Sequence, residues 1–146
     1  MQWRALIVIG VGAATGCSGS GRPIEYVVPD GYTGRVWVLL DPEAPDLPVV
    51  NGRYRVMFPA SGVFRVKSMS PFEHWHEASA RYEHGRSLPT DLLSGSSQVA
   101  PTTMGMWSGP RGSTWPDQRD YIVWVVGTEE DFKALGVNHL APPESR

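Results

Sequence analysis

The stretch Val49-Val50-Asn51-Gly52-Arg53-Tyr54-Arg55-Val56-Met57-Phe58, running on through Pro59-Ala60-Ser61-Gly62 into Val63–Ser68, sets the fold class of this 146-residue chain. Asn-Gly between two β-rich runs is a hairpin signal, because both residues accept the positive φ that a two-residue turn requires. Beyond it the side chains alternate. Tyr54, Val56 and Phe58 take one face while Arg53 and Arg55 take the other, and after the next turn Phe64 and Val66 face inward while Arg65 and Lys67 face out. A period of two is the pattern of a half-buried strand.

Upstream, Arg35–Asp41 alternates in the same way, with Val36, Val38 and Leu40 opposed to Arg35, Trp37, Leu39 and Asp41. Ile24–Val28 is a shorter β-rich run closed by Pro29-Asp30-Gly31, where Pro presets one backbone angle and Gly supplies the other. Downstream, Tyr121–Val126 is the most apolar run after the N-terminus and is expected to be a central strand. Short strands with turns every eight to twelve residues predict a mainly β fold, a small antiparallel β-sandwich with one or two short helices.

Ser70-Pro71-Phe72-Glu73 has a capping-box spacing with Pro at the first helical position, which predicts one or two helical turns near residues 71–76. A hairpin is expected around His84-Gly85. Residues 90–119, rich in Gly, Pro, Ser and Thr, read as loop with a short strand near Met104–Trp107. Thr128 followed by Glu129, Glu130 and Asp131 opens a short helix, the acids sitting where the helix dipole favours them.

The N-terminus carries an address. Ala5–Ala14 is a ten-residue apolar run behind Arg4, too short to span a bilayer as a helix, and Thr15-Gly16 lead to Cys17, the one cysteine of the chain. This is the layout of a lipoprotein signal in which Cys17 is lipidated and becomes the mature N-terminus, although Ala14 stands where leucine is commonest. Plain secretion would leave Cys17 as a free thiol in an oxidising compartment. A cytosolic dinucleotide-binding turn at Gly10-Val11-Gly12 fails, because Thr15 holds the third glycine position and Ser18–Pro23 follows where a helix should begin.

The expected organisation is a signal peptide over residues 1–16, a Gly/Ser tether over 17–23, one β-sandwich domain over 24–136 and a loose tail over 137–146. The expected location is exported and membrane-anchored: the periplasmic side of the outer membrane in a Gram-negative cell, since Ser18 is not the aspartate that favours inner-membrane retention. Processing removes only Arg4 among the charges, leaving 12 basic against 15 acidic residues and moving the net charge from −2 to −3. A mildly acidic domain without clustered Lys and Arg argues against nucleic acid as a partner. With no second cysteine there is neither a disulfide framework nor a thiolate metal site.

The run Tyr26-Val27-Val28-Pro29-Asp30-Gly31-Tyr32-Thr33-Gly34-Arg35-Val36, the Tyr54 strand running into Pro59–Gly62, and Val126-Gly127-Thr128-Glu129-Glu130-Asp131-Phe132 together resemble an uncharacterised family of bacterial lipoproteins, a domain of unknown function. The resemblance covers most of residues 24–135. It implies a small exported β-rich domain similar to prealbumin-like sandwiches, and it brings no activity and no catalytic residues.

Two groups of residues are candidates for binding. Glu73-His74-Trp75-His76-Glu77, with His84 nearby, concentrates ligand-type side chains. On a strand His74 and His76 would point the same way and could share a zinc or copper ion, whereas on a helix they diverge by about 200°; the alternative is a solvated segment anchored by Phe72 and Trp75. Met104-Gly105-Met106-Trp107 and Thr114-Trp115-Pro116-Asp117 place Trp107 and Trp115 in a glycine-rich region, where exposed rings would stack on an envelope glycan or grip a protein, and buried rings would cap the sandwich. No Gly-x-Ser-x-Gly elbow, phosphate-cradling loop or zinc-protease motif occurs, so no enzyme and no cofactor is expected. The expected activity is a structural or binding role at the envelope, with the membrane as partner through Cys17 and a glycan or protein as second partner.

Overall fold

The chain passes repeatedly from one sheet to the other, and that alternation organises the structure. The computed structural model describes residues 21–95, 98–135 and 142–143. The signal, Cys17 and the first part of the tether lie outside these residues. The strands are β1 (Ile24–Val28), β2 (Gly34–Leu40), β3 (Val49–Val50), β4 (Arg53–Met57), β5 (Val63–Val66), β6 (Ala78–Tyr82), β7 (Ser87–Leu88), β8 (Gly105–Ser113) and β9 (Asp120–Gly127), followed by helix α1 (Glu129–Leu135).

One sheet has the order β3-β4-β1-β6-β7 and the other β5-β2-β9-β8. The mainly β reading holds, with two mixed sheets in place of uniformly antiparallel ones. The β3–β4 hairpin closes at Asn51-Gly52, with φ of 51° and 76°, and the β6–β7 hairpin pairs Ala80 with Leu88. By contrast, Pro29–Gly31 and Pro59–Gly62 do not close hairpins. They are arches that cross between sheets, so β1 lies parallel to β4 (Ile24 opposite Tyr54) and β2 parallel to β5 (Trp37 opposite Val63). β1 is also parallel to β6, and β9 is antiparallel to both β2 and β8.

The core between the sheets is built from the alternating positions: Ile24, Tyr26 and Val28; Val36 and Val38; Val56 and Phe58; Ile122, Trp124 and Val126. The opposite face of β2 and β9 is also apolar. Trp37, Leu39, Val63 and Val123 form a second cluster, and Leu92, Trp107 and Val125 a third, against which Phe132 and Leu135 of α1 pack. Trp37 and Leu39, assigned to the side opposite the core, are therefore buried rather than solvated.

Two local expectations are corrected. Residues 70–76 hold a single 3₁₀ turn, Ser70–Phe72, with Met69 at the N-cap position and no capping side chain; the chain then extends into β6. Pro71 starts the turn, and Phe72 buries itself in the main core, which pins the segment without further helix. In the stretch read as loop, β8 runs for nine residues. Its glycines are needed for close approach, since a Cβ on Gly109 would sit 2.8 Å from the Val123 carbonyl oxygen, and the register shift between Ser108 and Arg111 accommodates Pro110 on a sheet edge. The helix forms where expected: Thr128 Oγ1 accepts from Asp131 N at 3.2 Å and Asp131 Oδ2 accepts from Thr128 N at 2.8 Å. Of the C-terminal residues expected to form a loose tail, Pro142 and Pro143 are described, and Pro142 is buried.

Candidate functional site

The 3₁₀ turn, the β7–β8 connection and the middle of β8 meet at Arg111. Its Nη2 donates to the Phe72 carbonyl oxygen, tying β8 to the 3₁₀ segment. Three adjoining hollows count Arg111 among their lining residues. The innermost, about 210 Å³, is walled by Tyr26, Phe72, His76, Asp91, Ser108 and Trp124. A wider one of about 480 Å³ shares Phe72, His76, Asp91 and Arg111 with it and extends to Glu73, His74 and Trp75. The third, about 290 Å³, lies along Met69, Glu73, Ser113, Asp120 and Tyr121.

Tyr26 reaches this cleft from β1 through the core, its ring 5.0 Å from Trp124 and stacked 6.3 Å from Phe58. Burial pushes its hydroxyl far above the ordinary phenol value; Asp91 adds to the rise and Arg111 opposes it. A neutral hydroxyl at the end of the inner hollow thus lies in the field of one carboxylate and one guanidinium. Asp91 sits at φ +56°, a left-handed conformation that Asp and Asn tolerate better than most residues. The set supplies acceptors, donors and an aromatic wall in one small space, which suits a polar, uncharged ligand unit carrying several hydroxyls.

The residues singled out in the sequence are dispersed. Trp107 is fully buried and its Nε1 donates to the Gly127 carbonyl oxygen at 2.9 Å, so it is not available to a ligand. Trp115, in the β8–β9 connection, is 79% exposed. His76 Nδ1 lies 2.8 Å from the His74 carbonyl oxygen. His84 is engaged elsewhere: its backbone N–H and its Nδ1 both meet the Asp30 carboxylate, at 3.0 and 2.7 Å. That carboxylate raises the His84 pKa, and the His84 backbone N–H and then its ring lower that of Asp30. Among the described residues no group of three or more His, Cys, Asp or Glu side chains is placed to hold a metal, so His74, His76 and His84 do not form the shared site their proximity in sequence suggested.

Sequence reasoning missed Tyr26, Asp91 and Arg111 as a group. One signal was present: between Thr90 and Trp115, a stretch of uncharged Gly, Ser, Pro and Thr, the sole charges are Asp91 and Arg111. Half-buried opposite charges hold the outer face of the first sheet, where Glu25 joins Arg55 at 2.6 Å and Arg81 at 3.0 Å across three strands.

The fold has a solved counterpart. A crystal structure of the Bacillus anthracis protein named Putative Lipoprotein superposes with a TM-score of 0.51 at 15% identity, covering 86% of this chain and 83% of that one. At that identity the likeness is one of fold. No protein-family model and no curated protein matches the chain.

Proposed function

We propose that this chain is a lipid-anchored envelope lipoprotein whose non-catalytic β-sandwich binds one polar unit of an envelope glycan in the Arg111 cleft. The anchor reading rests on the signal layout ending at Cys17, and the fold likeness to a protein named as a lipoprotein agrees with it. In a cell with an outer membrane, Ser18 fits that destination. The observation that carries the binding reading is the convergence of Asp91, Arg111, Ser108 and the Tyr26 hydroxyl on a hollow walled by Trp124. A sugar presents hydroxyls that both donate and accept, beside an apolar ring face. Asp91 accepts, Arg111 donates, the two hydroxyls do either, and the tryptophan ring covers the apolar side. An inner volume of about 210 Å³ is below the range of drug-sized pockets and fits one such unit.

The anchor is tested by Cys17→Ser, which is expected to release the protein from the membrane fraction; unchanged retention refutes it. The cleft is tested by calorimetric titration with soluble peptidoglycan fragments and with Asp91→Asn, a change the left-handed backbone tolerates. Binding that Asp91→Asn weakens tenfold or more, about 1.4 kcal/mol, is expected; unchanged affinity in the variant, or no heat with any fragment, sinks the assignment. A second reading, contact with a protein partner through Trp115, is favoured by the exposure of that ring at a hairpin tip.

A further inference from the structure

We infer that the end of the sandwich carrying Trp75 rests on the bilayer, with the Trp75 ring in the headgroup region. This inference rests on the reading of Cys17 as the lipid anchor. Gly21 N donates to the Trp75 carbonyl oxygen at 2.7 Å, and Ile24 N donates to the Glu77 carbonyl oxygen at 2.9 Å. The chain therefore enters the domain pinned alongside residues 75–77. The approach is tight: a Cβ on Gly21 would lie 3.3 Å from the Trp75 oxygen and 3.6 Å from the Cβ atoms of His74 and His76.

Four residues lead from Cys17 to Gly21, and even fully extended they span about 14 Å. A lipid on Cys17 would thus hold Gly21, and Trp75 beside it, at the membrane surface. Trp75 is 75% exposed. An amphipathic indole is the side chain most at home in that zone, its ring among headgroups and its N–H still hydrated. Val49, Met57, Leu93 and Trp115 are the other large apolar side chains exposed among the described residues.

One tryptophan alone binds a bilayer weakly, but the tether changes the arithmetic. A short link gives the ring an effective concentration on the order of mM at the surface, so a weak contact persists. Electrostatics is not the driving force. Glu73 and Glu77 stand two positions either side of Trp75 in the chain and offset Arg22, so the contact needs no anionic lipid. The wider hollow then opens along the membrane surface, between Trp75 and Arg111.

The test uses the full lipidated protein in vesicles of phosphatidylcholine with brominated acyl chains, with Trp75→Phe subtracted to isolate the emission of Trp75. The ring is exposed, so that variant keeps the fold. Emission that is blue-shifted, quenched by the brominated chains and shielded from acrylamide is the expected result. Emission open to acrylamide and untouched by bromine, in protein whose mass shows lipid on Cys17, overturns the inference and leaves the anchor standing. Protection of Trp75 by soluble peptidoglycan fragments in place of the bilayer also overturns it. A mass without lipid removes the anchor reading and the inference with it.

Discussion

Trp107 and Trp115 stand eight positions apart in similar Gly- and Thr-rich surroundings, and they have opposite environments. On β8, Trp107 points away from the core that Met106 enters, yet it is fully buried because Leu92, Val125 and Phe132 cover that second face. Replacing it with Phe removes the indole donor to the Gly127 carbonyl, at a cost of about 0.5–1.5 kcal/mol, to which the space left by the smaller ring adds. Trp115→Phe changes a ring already in solvent, where effects stay within about 0.5 kcal/mol. Urea unfolding of the two variants is the check, and comparable midpoint shifts would show that the two rings share an environment. At this scale the sequence named the residue types correctly and could not tell their fates apart. Glycine and proline interrupt the alternation that would have revealed a strand, and the covering side chains come from α1 and from Leu92, far along the chain.

Turns separate what was legible from what was not at the level of elements. Asn51-Gly52 and the Thr128–Asp131 cap act within a few residues, so their chemistry is written locally and both form as read. Pro29–Gly31 and Pro59–Gly62 carry equally clear turn chemistry, but whether a turn closes a hairpin or arches between sheets depends on where the next strand finds its partner. Gly62 shows the difference in constraint. Its φ is +77°, and a Cβ would lie 2.7 Å from the Arg35 carbonyl oxygen at the start of β2, where the neighbouring arch ends. Gly52, at φ +76°, has nothing within 4 Å. Gly52→Ala therefore meets only the left-handed backbone penalty, about 1–2 kcal/mol. Gly62→Ala meets that penalty and a backbone collision that two stacked arches cannot relieve without parting, so its loss of stability exceeds that of Gly52→Ala. Thermal unfolding of the pair measures it, and equal melting temperatures would mean that the arches are not packed as described.

For the whole molecule, parallel pairing is what the sequence concealed. β1 lies beside β4 and β6, each reached only after the chain has visited the other sheet, and no local pattern announces such a partner. The cleft was hidden for the same reason, since Tyr26, Asp91 and Arg111 come from three distant segments. This interleaving has a thermodynamic consequence. Neither sheet can be completed while the other is unmade, because β1–β2 and β4–β5 are continuous arches contributing one strand to each, and the core between them is shared. The chain is thus expected to unfold in a single cooperative step. Trp37, Trp107 and Trp124 report on the second sheet by fluorescence, while far-UV circular dichroism reports on both. The two signals should trace one urea transition with the same midpoint. A fluorescence change complete before the dichroism begins to fall would mean that the second sheet, with its covering helix, comes apart alone. The arches would then be hinges between two units, and the Arg111 cleft, which takes Tyr26 from one sheet and Arg111, Ser108 and Trp124 from the other, would open with them.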